Sequence, residues 1–280
     1  MRFDVVHETR YSYTMPVSLG PHVLRLRPRE DGAQRLISFA IDVSPQPSLL
    51  SNSVDAEGNA VIHAWFMGTT DQLRVTSSFS VEVLRANPFD YVPDLSFASL
   101  PATYANGLAR MLSPYREATE APEVHDFARS IAARAEGRPL AFLDALNYAI
   151  HHDFEPAIRD DGGPARAAVD TLRTRQGACR DLTVLFIEAA RSLGFAARFV
   201  SGYRRGVLGR PDRHLHAWPE VFIPGGGWRG WDPVEGLAVA DTHVALAAAA
   251  TQTDTMPVEG TFYGTGAASK LFYRLQIQTQ

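Results

Sequence analysis

Between residues 86 and 101 the hydrophobic pattern of this 280-residue chain changes period. Before that stretch, apolar and polar residues alternate. Phe3, Val5 and His7 share one side of Arg2 to Tyr13, Leu24 and Leu26 are interleaved with arginines, and Leu36, Phe39, Ile41 and Val43 mark a further segment. Ala60 to Met67 and Arg74 to Leu84 continue in the same manner. A period of two belongs to strands with one face buried. Pro45-Gln46-Pro47 and Asp55-Ala56-Glu57-Gly58-Asn59 supply turns. Short strands at this spacing predict a β-sandwich-like or barrel-like module. Beyond Pro88, Pro93 and Pro101 the period becomes helical, over Tyr104 to Leu112, Glu123 to Ala135, Ala141 to His152 and Ala167 to Thr174. The expected fold class is therefore α+β. A β-rich module over 1–90 precedes a linker over 91–101 and a core over 102–280.

Composition bounds what such a chain does. With 45% hydrophobic and 21% charged residues it has enough apolar material for packed cores. Its net charge of −4 gives no general basic field, so nucleic acid is not expected as a partner. No apolar run approaches the roughly 18 residues of a membrane span. Met1-Arg2-Phe3-Asp4 leads straight into polar alternation rather than an apolar signal segment. A single cysteine excludes an intrachain disulfide. A cytoplasmic location and no membrane partner are the expectations.

That cysteine, Cys179, lies in Gln176-Gly177-Ala178-Cys179-Arg180-Asp181. From it Leu182, Leu185, Phe186, Ala189, Ala190 and Leu193 recur with helical period, and Gly194 is a natural stop. Cys179 thus falls in a helix's first turn. Unpaired N–H groups and the positive end of the dipole there favour a thiolate, and can hold an oxyanion on an attacked carbonyl. A lone cysteine is otherwise commonly a small buried hydrophobe. What argues against that reading is His216, 37 residues on, and Asp232, 16 further: an imidazole to take the proton and a carboxylate to orient it.

The runs Gly177-Ala178-Cys179-Arg180-Asp181, Leu193-Gly194-Phe195 to Gly202-Tyr203, His216-Ala217-Trp218-Pro219-Glu220-Val221-Phe222 and Gly227-Trp228 to Asp232-Pro233 together resemble the core of bacterial transglutaminase-like proteins. His7-Glu8-Thr9-Arg10-Tyr11-Ser12-Tyr13, Leu24-Arg25-Leu26-Arg27-Pro28 and Asp55 to Asn59 look like the β region found before that core. The resemblance implies a papain-like core of helices and antiparallel sheet. It implies Cys179 as nucleophile, His216 as general base and acid, Asp232 as the orienting carboxylate, and no cofactor. It also implies attack on an amide or peptide carbonyl to give a thioester acyl-enzyme. Hydrolysis of a peptide, amide or isopeptide substrate is the first expectation, because water outnumbers any amine. Acyl transfer to an amine is the alternative, and a non-catalytic peptide-binding homologue the second. Where the family has a Gly-Arg-Asp-Tyr stretch after His243-Val244-Ala245-Leu246-Ala247, this chain has Ala249-Ala250-Thr251-Gln252, which bears on substrate preference.

Three residues near the triad are candidates for binding substrate or an oxyanion: Gln176, Arg180 and Trp218. Asp181 reads as a structural acceptor for helix N–H groups. Trp218, Trp228 and Trp231 read first as packing around the sheet. His214-Leu215-His216 has a spacing usable for a metal, but no third ligand stands at a recognisable distance and no metal is expected. No dense carboxylate loop implies calcium. His151-His152-Asp153 reads as a helix C-terminal cap. The arginines between Arg204 and Arg213 read as a solvated loop beside the site. Pro219 cannot donate to a ladder, so its strand is expected to meet an edge or an irregularity there.

Overall fold

β1 (Arg2–Leu24) is the spine of the N-terminal sheet. The computed structural model describes residues 1–159, 163–205 and 215–280. With β2 (Gln34–Ser44), β3 (Leu49–Val54), β4 (Ala60–Trp65) and β5 (Thr70–Val83), β1 builds a sheet in the order β2-β5-β1-β4-β3. Its first part pairs with β5 from Arg2 to Ser12. After an irregularity its last residues, His22 to Leu24, pair with β4. One strand therefore runs through two halves of a curled, sandwich-like module. The alternation holds: Phe3, Val5, His7 and Thr9 are buried, as are Leu73, Val75 and Val81 opposite them on β5.

The helical part contains α1 (Asn106–Met111), α2 (Pro122–Arg134), α3 (Pro139–Asp153), α4 (Ala168–Thr174) and α5 (Cys179–Ser192). The first four lie within two residues of the ranges set by periodicity. α2 and α3 each begin with proline, which loses no hydrogen bond at that position. α5 buries Leu182, Leu185, Phe186, Ala189 and Ala190, and packs on α2 and α4. It stops at Gly194, whose φ of +89° suits glycine. The N–H groups of Gly194 and Phe195 close back on the carbonyls of Arg191 and Ala190. β6 (Glu155–Pro156), which follows α3, is set beside β7 (Gln176–Gly177) as a short parallel pair leading into Cys179.

The second sheet holds β8 (Ala197–Arg204), β9 (His216–Ile223), β10 (Gly227–Asp232), β11 (Leu237–Ala238) and β12 (His243–Ala249), in the order β11-β10-β9-β8-β12. α5 lies against β8 and β9. Pro219 pairs with Phe199 of β8, while the β9–β10 ladder runs only from Ile223 to Glu220. β10 leaves β9 at the proline and takes β11 as its neighbour at Trp231 and Asp232. Among the described residues no helix is long and apolar enough to cross a membrane.

Two expectations need correction. Residues 91–101 are not a free tether: Phe97 is buried against Tyr104 and Phe195, and the N–H groups of Asp94 and Leu100 bond the carbonyls of Pro224 and Gly137. Nor does the core own the chain to residue 280. β13 (Val258–Tyr263) and β14 (Ser269–Thr279) both pair with β1, β14 from Phe3 to Tyr13 without a break. β1 otherwise lacks a partner on that side, and an unpaired strand edge leaves a row of N–H and C=O groups unsatisfied.

The two parts also share a core. Tyr203, Val244 and Leu246, from β8 and β12, are buried with Phe3, Phe79 and Val81. His7 sits in that seam, 1% exposed, with Nδ1 at 2.8 Å from the Tyr203 hydroxyl and Nε2 at 3.2 Å from Thr9 Oγ1. Burial pushes its imidazole down to about 4. Between that value and the ordinary 6.5 the unfolded chain binds a proton that the folded chain refuses, so stability falls as pH is lowered through this window. His7→Gln, which keeps polar atoms but does not titrate there, is expected to lose about 3 kcal/mol less stability than the wild type between pH 7.5 and 4. Urea unfolding at the two pH values measures the difference.

Candidate active site

Cys179 is the first residue of α5, and it is partly exposed. The helix start is fixed by Asp181, which is fully buried: its Oδ2 accepts the N–H of Ala178 at 2.9 Å, and its Oδ1 accepts the N–H of Arg166 at 2.8 Å. Arg159 lies against both oxygens, at 2.9 and 3.2 Å. One carboxylate thus caps the helix and ties down the chain that borders the thiol. By position in the first turn, the N–H groups of Cys179 and Arg180 come before any carbonyl that the helix itself could offer them.

The thiol lies within electrostatic reach of His216 and of the N–H of Ala217, both at the start of β9. His216 turns Nε2 to Asp232 Oδ2 at 2.7 Å, so Nδ1 is the nitrogen left for the sulfur. Asp232, at the end of β10, has no exposed surface. Its Oδ1 accepts the N–H groups of Val234 and Glu235, at 2.9 and 3.2 Å. Burial alone would raise this carboxyl, but the charge and hydrogen bonds of the imidazoles outweigh it and hold it well below the usual carboxylate range. Burial likewise pushes the His216 imidazole down. The adjoining carboxylate and then the thiol outweigh that and raise it to about 10. For Cys179 burial pulls upward, while the bond and charge of His216 and the N–H of Ala217 bring the thiol below its ordinary value. The directions agree: a lowered thiol beside a raised imidazole favours a thiolate–imidazolium pair.

Residues 125–233 match the model of the transglutaminase-like superfamily, and residues 3–82 that of the bacterial transglutaminase-like N-terminal region. The chain belongs to the transglutaminase-like superfamily. This transglutaminase-like protein is 26% identical over 272 residues to an uncharacterized protein of Mycobacterium leprae, covering 95% of each chain. To an uncharacterized protein of Mycobacterium tuberculosis it is 29% identical over 286 residues, covering 94% of this chain and 88% of the other. In fold it is similar to a "putative cysteine protease" from Cytophaga hutchinsonii, with a TM-score of 0.73 at 17% identity over 100% of this chain and 91% of the other.

A fourth side chain belongs to the cluster of this transglutaminase-like protein and is not apparent from sequence spacing. His243, the first residue of β12, places Nε2 at 2.9 Å from the same Asp232 Oδ2. In the sequence it stands out only as the first residue of the family-like run His243 to Ala247. The nitrogens of His216 and His243 and the oxygen of Asp232 are the one set of three grouped metal-ligating atoms among the described residues. Both N···O distances are hydrogen-bond lengths, whereas donors around one zinc ion, each about 2.1 Å from it, would stand roughly 3 Å or more apart.

The other candidates are placed differently. Trp218 is 1% exposed and stands edge-on against the His243 ring at 5.0 Å, behind the imidazoles. Its indole leans across Gly202 of β8, where a Cβ would come within 2.8 Å of the ring and 2.1 Å of the Val244 carbonyl. Arg180 donates to the Arg159 carbonyl at 3.1 Å, along the border of the site. Gln176 is exposed on β7. Trp231 donates to Asp144 on α3 at 2.9 Å, and the Trp228 ring carries Arg198 at 4.2 Å, so both pack around the sheet. His152 bonds the Tyr148 carbonyl in the last turn of α3, while His151 reaches Val234 beside Asp232. His214 and most of the arginine-bearing loop lie outside the described residues. Arg204, at its start, is paired with Glu235.

Iodoacetamide should alkylate Cys179 at pH 6, where an unassisted thiol is only about 0.3% thiolate. In His216→Ala burial remains and the imidazole is gone, so the midpoint of the alkylation profile is expected to rise to the ordinary thiol range or above it. Stopped-flow or mass-spectrometric alkylation rates from pH 4 to 10 read this directly.

Proposed function

We propose that this transglutaminase-like protein is a thiol hydrolase of amide, peptide or isopeptide bonds, with Cys179 as nucleophile, His216 as general base and acid, and Asp232 as the carboxylate that orients it. The observation that carries the reading is the chain of contacts from thiol to imidazole to buried carboxylate, set at the N-terminus of α5. The Cys179 sulfur, already a thiolate, attacks the carbonyl carbon. Negative charge then gathers on the carbonyl oxygen, where the N–H groups of Cys179 and Arg180 and the helix dipole favour it. As the C–N bond breaks, His216 gives its Nδ1 proton to the departing amine, leaving a thioester on Cys179. Water then attacks the thioester while His216 takes its proton. The acid leaves, and the thiolate–imidazolium pair is restored.

Asp232 holds Nε2 and keeps the other nitrogen toward the sulfur throughout. Because Asp232 Oδ2 accepts from His216 Nε2, the protonated imidazole is stabilised in the one orientation that serves both transfers. Water is chosen over an amine as acceptor because Cys179 is partly exposed and water is present in far greater concentration. A peptide or protein carrying an amide or isopeptide bond is the substrate class.

Two measurements test this reading. A p-nitrophenyl ester incubated with the enzyme and an isotopically labelled primary amine at high millimolar concentration should yield mainly free acid by mass spectrometry. Amine adduct as the main product would make the protein an acyltransferase, and no turnover or thioester in the wild type would make it a binding homologue. Asp232→Asn should lower turnover by roughly 10²–10⁴-fold in a folded protein, because an amide there can hold the wrong tautomer.

A further inference from the structure

Asp232 Oδ2 has two imidazole donors, and the mechanism uses one. The second, His243, is 4% exposed and fixed at both ring nitrogens: Nε2 points at the carboxylate, and Nδ1 lies 2.9 Å from Thr242 Oγ1. A ring facing a carboxylate through Nε2 carries a proton there, and with that one proton alone its Nδ1 accepts from the threonine hydroxyl. The surroundings keep it so. Charged or titratable groups around it are Asp232, His216 and Arg204, and, across a cavity of about 30 Å³ between module and core, Asp31, Arg85 and Glu220. Burial first, then the charges of His216 and Arg204, oppose a second proton, against the pull of Asp232.

His243 also cannot easily turn away, because its strand is clamped from the N-terminal module. β12 is the edge strand of its sheet. The Gln34 carboxamide covers that edge at Ala245, donating to its carbonyl at 2.8 Å and accepting its N–H at 2.9 Å. Asn59 does the same at Ala248, at 3.0 and 2.8 Å. Each amide occupies the two backbone groups that a neighbouring strand would take. Trp218 closes the ring's other side.

We propose that His243 is a positioning residue for the thiol chemistry, and that the N-terminal β module acts on the reaction by holding it. By donating to Oδ2, His243 keeps the Asp232 carboxylate turned toward His216. Without it a fully buried carboxylate loses one of four donors, its grip on the His216 proton weakens, and the thiolate loses part of its support. The proposal rests on the thiolate–imidazolium reading above, and the test separates the two.

Alkylation of Cys179 by iodoacetamide is followed from pH 4 to 10 in the wild type, His243→Leu, His243→Gln and His216→Ala, together with ester turnover and thermal melting. His243→Leu is expected to move the alkylation midpoint upward and cut turnover roughly 10–100-fold, the weight of one charge-assisted hydrogen bond. His243→Gln, whose amide can donate to Oδ2, should recover most of both. An unmoved midpoint in His243→Leu, or equal shifts in the Leu and Gln variants, would overturn the proposal. An unmoved midpoint in His216→Ala would instead overturn the ion pair on which it rests. Should His243→Leu fail to fold, ¹⁵N spectra of the wild-type histidine rings decide. One neutral ring with its proton on Nε2 beside one charged ring between pH 5 and 9 is the expected pattern. Two charged rings, or a proton on Nδ1 of the neutral one, would sink it.

Discussion

A carboxylate without exposed surface stays charged only if donors surround it, and that requirement at Asp232 organises this protein. Desolvating an ion costs several kcal/mol even after relaxation, so every lone pair must be met. Four donors meet them: two imidazoles on Oδ2 and two backbone N–H groups on Oδ1. They come from β9, β12 and the turn after β10. β8 lies between β9 and β12, and its Gly202, paired with His216, leaves the space into which the Trp218 indole leans. β10 must also break from β9 to deliver Asp232, and it does so at Pro219, where a donor for the ladder is missing.

Much of this was legible in the sequence, for reasons that are local. The N-terminal alternation and the period-3.6 stripes are written in residues a few positions apart, so the first half of β1, β2, β4, β5 and the helices up to α5 could be placed, whereas β3, exposed throughout, carries no such alternation. Cys179, His216 and Asp232 could be grouped because their residue types serve one reaction and their order resembles one family. His243 could not, since nothing in its neighbours marks an imidazole aimed at a carboxylate 11 residues earlier. Nor could the return of β13 and β14 to β1. Pairing of Phe3 with Thr279 leaves no signature in either segment, because both have the same alternation whichever strand they join.

The packing of the stretch over 91–101 leaves no mark in its sequence for a related reason. Prolines mark where helices and strands cannot continue, but not whether the chain between them packs. Phe97 and the bonds at Asp94 and Leu100 lay that stretch along the core, so module and core meet over a long seam rather than across a hinge. The same seam carries His7 against Tyr203 and the two carboxamides against β12. The N-terminal module is therefore joined to the second sheet through named hydrogen bonds.

The pairing of β1 with β14 also has a bearing on how the chain is made. During synthesis β1 leaves the ribosome before β5, and it can pair with β5 once Thr70 to Val83 have emerged. Its other long edge stays open until residues 269–279 appear, by which time α5, its thiol and both imidazoles are already outside. The thiol and both imidazoles are thus made before β1 is sealed along its second edge. Closure of that edge is among the last long-range events, the slow kind that loop-closure entropy delays.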